Sequence, residues 1–318
     1  MRRRLNRDRT RVQLRHLRYF VKIVDAGSIS RAATVIQFKF FNAAGSVALI
    51  AALSVAATST AHAQAAASRQ FPFSAPNTND IPAGPLGDAI RYGEKVAAQT
   101  QTYAKKYVGS GLNCTSCHLD GGKTPYAAPW VGIWGQFPQY RSRNGRVDTL
   151  QDRINDCFER SMNGKALPAD STEMIGLLSY MQWLSKDVPT GAEVEGNGFI
   201  QIRLPPANQI DPARGKQIYA QQCGSCHGLD GQGRTGAAGA YLFPALWGAR
   251  SFNIGAGMAR LGTAAAFVKA KMPLGAGSSL SDQDAIDTAA YFTRQPRPGF
   301  AAKKFDWPKG GKPPDAPY

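Results

Sequence analysis

Cys114-Thr115-Ser116-Cys117-His118 and Cys223-Gly224-Ser225-Cys226-His227 are two copies of one five-residue pattern. Two thiols three positions apart, with a histidine directly after them, converge on one object from a single helical turn. Covalent attachment of a c-type haem asks for this set, with two thioether bonds and one iron–nitrogen bond. A zinc site wants four Cys or His ligands, and each cluster supplies three. A thioredoxin-like redox pair has no use for the appended histidine in both copies. The expectation is two covalently bound haem c groups, held by Cys114 and Cys117 and by Cys223 and Cys226. His118 and His227 are the expected proximal iron ligands.

Outward from each pattern the repeat continues. Leu119-Asp120-Gly121 follows the first, and Leu229-Asp230-Gly231 follows the second after one extra residue. Pro129-Trp130-Val131-Gly132 then matches Pro244-Ala245-Leu246-Trp247-Gly248. Two copies of one module is the simplest account. Between them, 188–210 holds Pro189, Gly191, Gly196, Gly198, Pro205 and Pro206, a linker composition.

The intervening sequence reads as helix. Residues 86–106 predict a helix leading into the first Cys pair. Asp148 with Gln151 resembles a capping box for a helix ending at Gly164, and Asp170 with Glu173 opens another. In that one Met174, Leu177, Leu178, Met181 and Leu184 recur at helical spacing. In the second module, helices are expected over 212–222 and 257–270, and Ser281 caps a last one that stops before Pro296. No alternating strand pattern is visible. The predicted fold is all-α, two tandem cytochrome c-like domains over 64–195 and 196–318.

The chain has 318 residues and a formal charge of +16, of which +9 falls in residues 1–63. The remaining +7 makes the body mildly basic, suited to anionic substrates and acidic redox partners, and gives no reason to invoke nucleic acid. An apolar run of small residues from Ala43 to Ala57 follows Lys39 and precedes Ala61-His62-Ala63. That is a basic flank, an apolar core and an A-x-A cleavage site. It is too short for a transmembrane helix. The expectation is a signal peptide over 38–63, cleavage near Ala63, a periplasmic mature protein and no stable membrane span in it. Ahead of it, Leu14-Arg15-His16-Leu17-Arg18-Tyr19-Phe20 and Ala26-Gly27-Ser28-Ile29-Ser30-Arg31-Ala32-Ala33 resemble the opening of a LysR-type transcription regulator. The resemblance covers residues 1–37 and stops before a recognition helix is complete. It reads as a fusion scar or a mis-called start.

The chain has four histidines, His16, His62, His118 and His227, so neither iron can take two. Each distal position falls to Met, Cys, Lys or nothing. For the second haem, Met272-Pro273 lies where a distal Met belongs in small cytochromes c, with Lys271 beside it and Met258 as competitor. For the first, Cys157 is the fifth and unpaired cysteine of the chain, with Met162 as rival. Arg153, Cys157 and Ser161 follow at i, i+4 and i+8, one stripe of a helix. A neighbouring cation favours the thiolate, the form that binds iron.

These stretches resemble the two-haem thiosulfate dehydrogenases, relatives of the haem subunit of the sulfur-oxidising Sox system. The resemblance rests on Leu112 to His118, on Tyr140-Arg141-Ser142-Arg143, on the run from Arg153 to Gly164, and on Phe267 to Pro273. It implies His118 and Cys157 as ligands of a catalytic first haem, and His227 and Met272 as ligands of a second haem that passes electrons on. Lys271 next to Met272 fits members that exchange these ligands with redox state. The resemblance further implies oxidation of two thiosulfates to tetrathionate, in some members reversibly, with Arg143, Arg153 and Ser161 beside Cys157 at the substrate site. The acceptor would be a small soluble or di-haem cytochrome c. The alternative reading is a non-catalytic di-haem electron carrier that uses Met162 and has no substrate site.

Overall fold

The computed structural model describes residues 70–236 and 241–318. The LysR-like stretch over 1–37 and the export segment over 38–63 lie outside the described residues.

Helix α1 (Pro85–Ala98) starts with proline at its first position and buries Ile90, Val96 and Ala97 together with Gly87 and Gly93. The helix expected over 86–106 does not run through. Gln99 and Ala104 leave helical backbone, isolating a turn at Thr100–Tyr103. The cause is a competing set of partners. The Thr100 hydroxyl accepts from the Cys114 amide at 3.0 Å, and the Gln101 amide donates to the Asn113 side chain at 3.1 Å. The helix end is diverted to hold the loop that carries the Cys pair.

A tight hairpin, β1 (Gln139–Arg141) against β2 (Arg146–Asp148), precedes α2 (Leu150–Asp156). The cap of α2 is Thr149 with Asp152, one residue later than the sequence suggested. Asp148 is unavailable as a cap because it is fully buried, taken by Arg146 Nε at 3.0 Å and Asn144 Nδ2 at 2.5 Å. Beyond Asp156 the helix widens into a π turn over Cys157–Ser161 and stops at Met162, short of Gly164. Helix α3 (Thr172–Leu184) is capped by Ser171 instead of Asp170. It buries Met174, Leu177, Met181 and Leu184 as their spacing requires, with Tyr180 and Trp183 added.

The second module repeats the plan with α4 (Pro212–Gln222), α5 (Leu261–Lys271) and α6 (Asp282–Thr293). The helix expected over 257–270 is divided, because extended Arg260 separates a 3₁₀ turn at Gly257–Ala259 from α5. Ser281 caps α6 with a full capping box to Asp284. Among the described residues a second short antiparallel pair, β3 (Arg234–Thr235) and β4 (Tyr241–Phe243), joins β1 and β2, so the helical class holds with two small strand pairs added.

Each module is closed by a crossing of its first and last helices that only glycine permits. A Cβ on Gly93 of α1 would stand 1.9 Å from the Gly176 carbonyl oxygen of α3. A Cβ on Gly215 of α4 would stand 1.9 Å from the Asp287 carbonyl oxygen of α6. In each module a tyrosine ties the stretch after the Cys-x-x-Cys-His turn, from different helices: Tyr180 of α3 donates to the Gly121 carbonyl at 2.9 Å, and Tyr219 of α4 to that of Gly228 at 2.7 Å.

The two modules are joined by hydrogen bonds. Asn253 donates from its amide to the Arg160 carbonyl at 3.1 Å and from Nδ2 to that of Glu159 at 2.8 Å. After α6 the chain returns across the first module, where the Trp307 amide donates to the Arg143 carbonyl at 2.7 Å. This return brings Trp307 and Pro313 to the wall of the polar cavity described below. Among the described residues, no helix is long and apolar enough to cross a membrane.

Candidate active site

Both Cys-x-x-Cys-His turns open onto cavities whose linings suit a porphyrin. The first, about 290 Å³, brings Cys114, Cys117 and His118 together with Trp130, Ile154 and Phe158. The second, about 620 Å³, gathers Cys223, Cys226 and His227 against Leu246, Phe267 and Met272. Each histidine is oriented by a carbonyl. His118 Nδ1 is 2.6 Å from the Ala128 oxygen and His227 Nδ1 is 2.9 Å from that of Pro244. A proton on Nδ1 donated to that oxygen leaves Nε2 as the acceptor nitrogen, the arrangement a metal-ligating imidazole uses. Burial pushes the thiols of Cys114 and Cys117 up to about 12 and that of Cys223 to about 11. The residues present fit the cofactor in both places. Leu112, Asn113 and Cys117 line both cavities, so the two haem sites share a wall.

Cys157 lines the first cavity together with His118. Burial alone would raise its pKa. The Arg153 guanidinium and the facing His118 outweigh that burial and bring it down to about 7. Arg153 Nη1 donates to the Cys157 sulfur at 2.9 Å. Cys114, Cys117 and Cys223 shift in the opposite direction. Met162, the rival, lines the same cavity but is only 4% exposed and packs in the core with Leu112 and Phe158. In the second cavity Met272 and Met258 both reach the lining, whereas Lys271 does not. The Lys271 ammonium instead stands 6.0 Å from the Tyr126 ring centroid, with its pKa lowered by burial.

Next to Cys157 lies a polar cavity of about 410 Å³ that also touches Cys117 and His118. Arg141, Arg143, Arg153, Arg160 and Arg260 line it, with Ser161. The C-terminal segment delivers acids to three of these. Asp306 receives two hydrogen bonds from Arg160 at 2.9 Å each and lies 3.9 Å from Arg143 Nε. Asp315 pairs with Arg260 at 2.8 Å. Arg143 is further occupied. Its Nη1 donates to the Gly255 carbonyl at 2.7 Å, and its guanidinium stacks 4.9 Å from the Trp307 ring centroid. Arg143, Arg153, Cys157 and Ser161, expected together from the sequence, therefore do share one cavity, but Arg143 is already engaged within it.

Residues 99–190 match the model of the SoxA/TsdA cytochrome c domain, and residues 210–292 match that of cytochrome c oxidase, cbb3-type, subunit III. The thiosulfate dehydrogenase of Psychrobacter arcticus is 46% identical over 258 residues, covering 81% of this chain and 78% of that protein. That of Allochromatium vinosum is 49% identical over 224 residues, 69% of this chain and 82% of that one.

The chain belongs to the thiosulfate dehydrogenase family.

A solved thiosulfate dehydrogenase (TsdBA) from Marichromatium purpuratum superposes with a TM-score of 0.67 at 38% identity. The match covers 73% of this chain and 50% of that one, so the chain spans half of that protein's length. As a thiosulfate dehydrogenase family member the protein has two cytochrome c domains, each with one covalently bound haem. What the sequence left unread at the family's site is its acidic closure. Asp306, Asp315, Trp307 and Tyr318 lie far from the Cys-x-x-Cys-His motifs and carry no motif of their own. Arg141 was visible inside the Tyr-Arg-Ser-Arg run, but nothing in one-dimensional spacing ranked it against Arg143.

Proposed function

We propose that this protein is an exported thiosulfate dehydrogenase that joins two thiosulfates sulfur-to-sulfur into tetrathionate. The observation that carries the reading is the convergence of Arg153, Cys157 and His118 where the first haem cavity meets a cavity lined by arginines. A pure electron carrier has no use for a depressed thiol under a guanidinium, or for cationic side chains turned into a pocket. The catalytic module would be 64–195 and the electron-transfer module 196–318. His118 with Cys157, and His227 with Met272, would hold the two irons, with Lys271 as an alternative to Met272.

The coupling balances as two thiosulfate dianions giving one tetrathionate dianion and two electrons. One bond forms, between the two sulfane sulfurs, and no proton is consumed or released. When bound, the two haems supply one-electron acceptors for the pair. The residues of the chain have the electrostatic task. Two dianions repel, and fixed guanidiniums offset that repulsion through charge-assisted, bidentate hydrogen bonds to sulfonate oxygens. Arg153 also holds Cys157 in the thiolate form. Ser161, one turn beyond Cys157 in the same lining, offers a hydroxyl to the bound anion. Arg143 is assigned to the same anion site. The shared wall of Leu112, Asn113 and Cys117 supports direct electron passage from the first haem to the second. The acceptor would be a small soluble or di-haem cytochrome c in the periplasm, met after cleavage near Ala63.

The test is thiosulfate-dependent reduction of an artificial acceptor by the purified, haem-loaded protein, with tetrathionate quantified. One tetrathionate per two electrons is the expected result. Reducible haems without turnover would leave the electron-carrier reading in its place.

A further inference from the structure

Of the five arginines in the polar cavity, three are held by carboxylates of the C-terminal segment and Arg153 is held by the Cys157 sulfur. Arg141 is different. Among the described residues its guanidinium has neither a hydrogen bond nor an ion pair. It also lines both the haem cavity and the polar cavity, as Arg153 does.

Its position is built, not incidental. On β1 the side chains alternate, so Tyr140 is 54% exposed while Gln139 and Arg141 turn inward. The hairpin is pinned from below by fully buried Asp148, through Arg146 and Asn144. The Arg141 carbonyl is tied at 2.8 Å to the amide of Gly145, whose φ of 64° closes the turn. Burial, and then the neighbouring Arg153, act against the charge on Arg141. Two partly desolvated guanidiniums facing the same space repel each other, and the nearby Asp156 is shared between Arg160 and Asn144. A dianion between Arg141 and Arg153 removes that repulsion and supplies the missing acceptors.

We propose that Arg141 is a further sulfonate-binding arginine of the site, forming with Arg153 the subsite for the substrate dianion, while Arg160 holds the C-terminal segment in place. This rests on the functional reading above and adds a residue to it. The ligand class is a doubly charged sulfur oxoanion, bound through its oxygens with its sulfane end toward Cys157.

The test compares wild-type, Arg141→Gln and Arg141→Lys holoproteins. KM and kcat for thiosulfate are measured with an artificial acceptor. Binding of sulfate, a dianion without a sulfane sulfur, is measured by calorimetry on the oxidised protein. The potential of the first haem is followed by spectroelectrochemical titration. Losing one charge-assisted contact predicts a KM about tenfold or more higher in Arg141→Gln, with kcat within about threefold and sulfate affinity reduced in parallel. Arg141→Lys, which keeps the charge but not the fork, recovers part of the loss. If Arg141→Gln fails to load haem, a raised KM with retained kcat in Arg141→Lys supports the assignment, and an unchanged KM there overturns it. An unchanged KM with a shifted first-haem potential would make Arg141 a partner of the haem propionates and overturn the proposal. Absence of tetrathionate formation by the wild type would instead remove the functional reading itself.

Discussion

Arg153 donates to the sulfur of Cys157 at 2.9 Å, one helical turn on, where α2 widens from α to π geometry. The π turn changes the rotation of the helix at Cys157, and π turns are concentrated at functional sites. The contact fixes both the charge state of the sulfur and the direction of the guanidinium.

Removing that guanidinium has a pH signature. The Cys157 pKa lies near 7 against an ordinary 9.0, so the thiolate is present above about pH 7 and lost below it. In Arg153→Gln the largest lowering influence is gone, that of His118 remains, and the midpoint moves up. Turnover at neutral pH is expected to fall by about a hundredfold and to recover partly as the pH is raised. A pH–rate profile with an unshifted acid limb would exclude this role for Arg153.

Cys157→Ser keeps the size of the side chain but offers iron no thiolate. The variant is expected to retain both covalent haems while its ferric spin-resonance spectrum loses the thiolate-ligated species and thiosulfate turnover collapses. A spectrum and rate identical to wild type would return Cys157 to the status of a buried thiol.

The second cavity makes a separate prediction, because Met272 lines it and Lys271 does not. Met272→Ala is expected to alter the spectrum of the second haem in the reduced protein, and Lys271→Ala to leave that reduced spectrum unchanged. The reverse pattern would show that Lys271 leaves Tyr126 to ligate the reduced iron.

Asp306 is 3% exposed in its side chain and receives both Arg160 nitrogens as well as the Tyr318 hydroxyl, at 2.5 Å. Asp306→Ala leaves Arg160, a largely buried cation, with only its longer 3.4 Å contact to Asp156. The expected loss is about 3–5 kcal/mol in denaturant unfolding. A loss under about 1 kcal/mol would mean that the segment is held mainly by its aromatic contacts.

Asp284 accepts from Ser281 and pairs with Arg214, which lowers its pKa below the ordinary 3.8. A depressed carboxylate contributes stability that is complete above its unfolded pKa and is lost as the pH falls through the folded one. Asp284→Asn should therefore lower the melting temperature most at neutral pH, with the difference from wild type shrinking as the pH falls below about 4, so that the acid limb flattens.

The local chemistry was legible in the sequence because it is local. Two Cys-x-x-Cys-His turns specify haem attachment within five residues each, and helix α3 could be read from the spacing of Met174, Leu177, Met181 and Leu184. Capping residues shifted by one position, at Thr149 and Ser171, because Asp148 and Asp170 look equally suited until burial removes one of them. The helix into the first motif broke at Gln99 because its backbone partners sit on the attachment loop, a contact that no helical periodicity encodes. The sequence by itself determined a helical pair of haem modules and a thiol one turn from an arginine, and its family resemblance pointed to the substrate. The tertiary structure decided which arginines remain free. Asp306 lies more than a hundred residues beyond β1, and only the return of the chain across the first module sets its carboxylate against Arg143 and Arg160 while leaving Arg141 unpaired. Charge pairing depends on distance in space, and spacing along the chain carries that distance only within a single element.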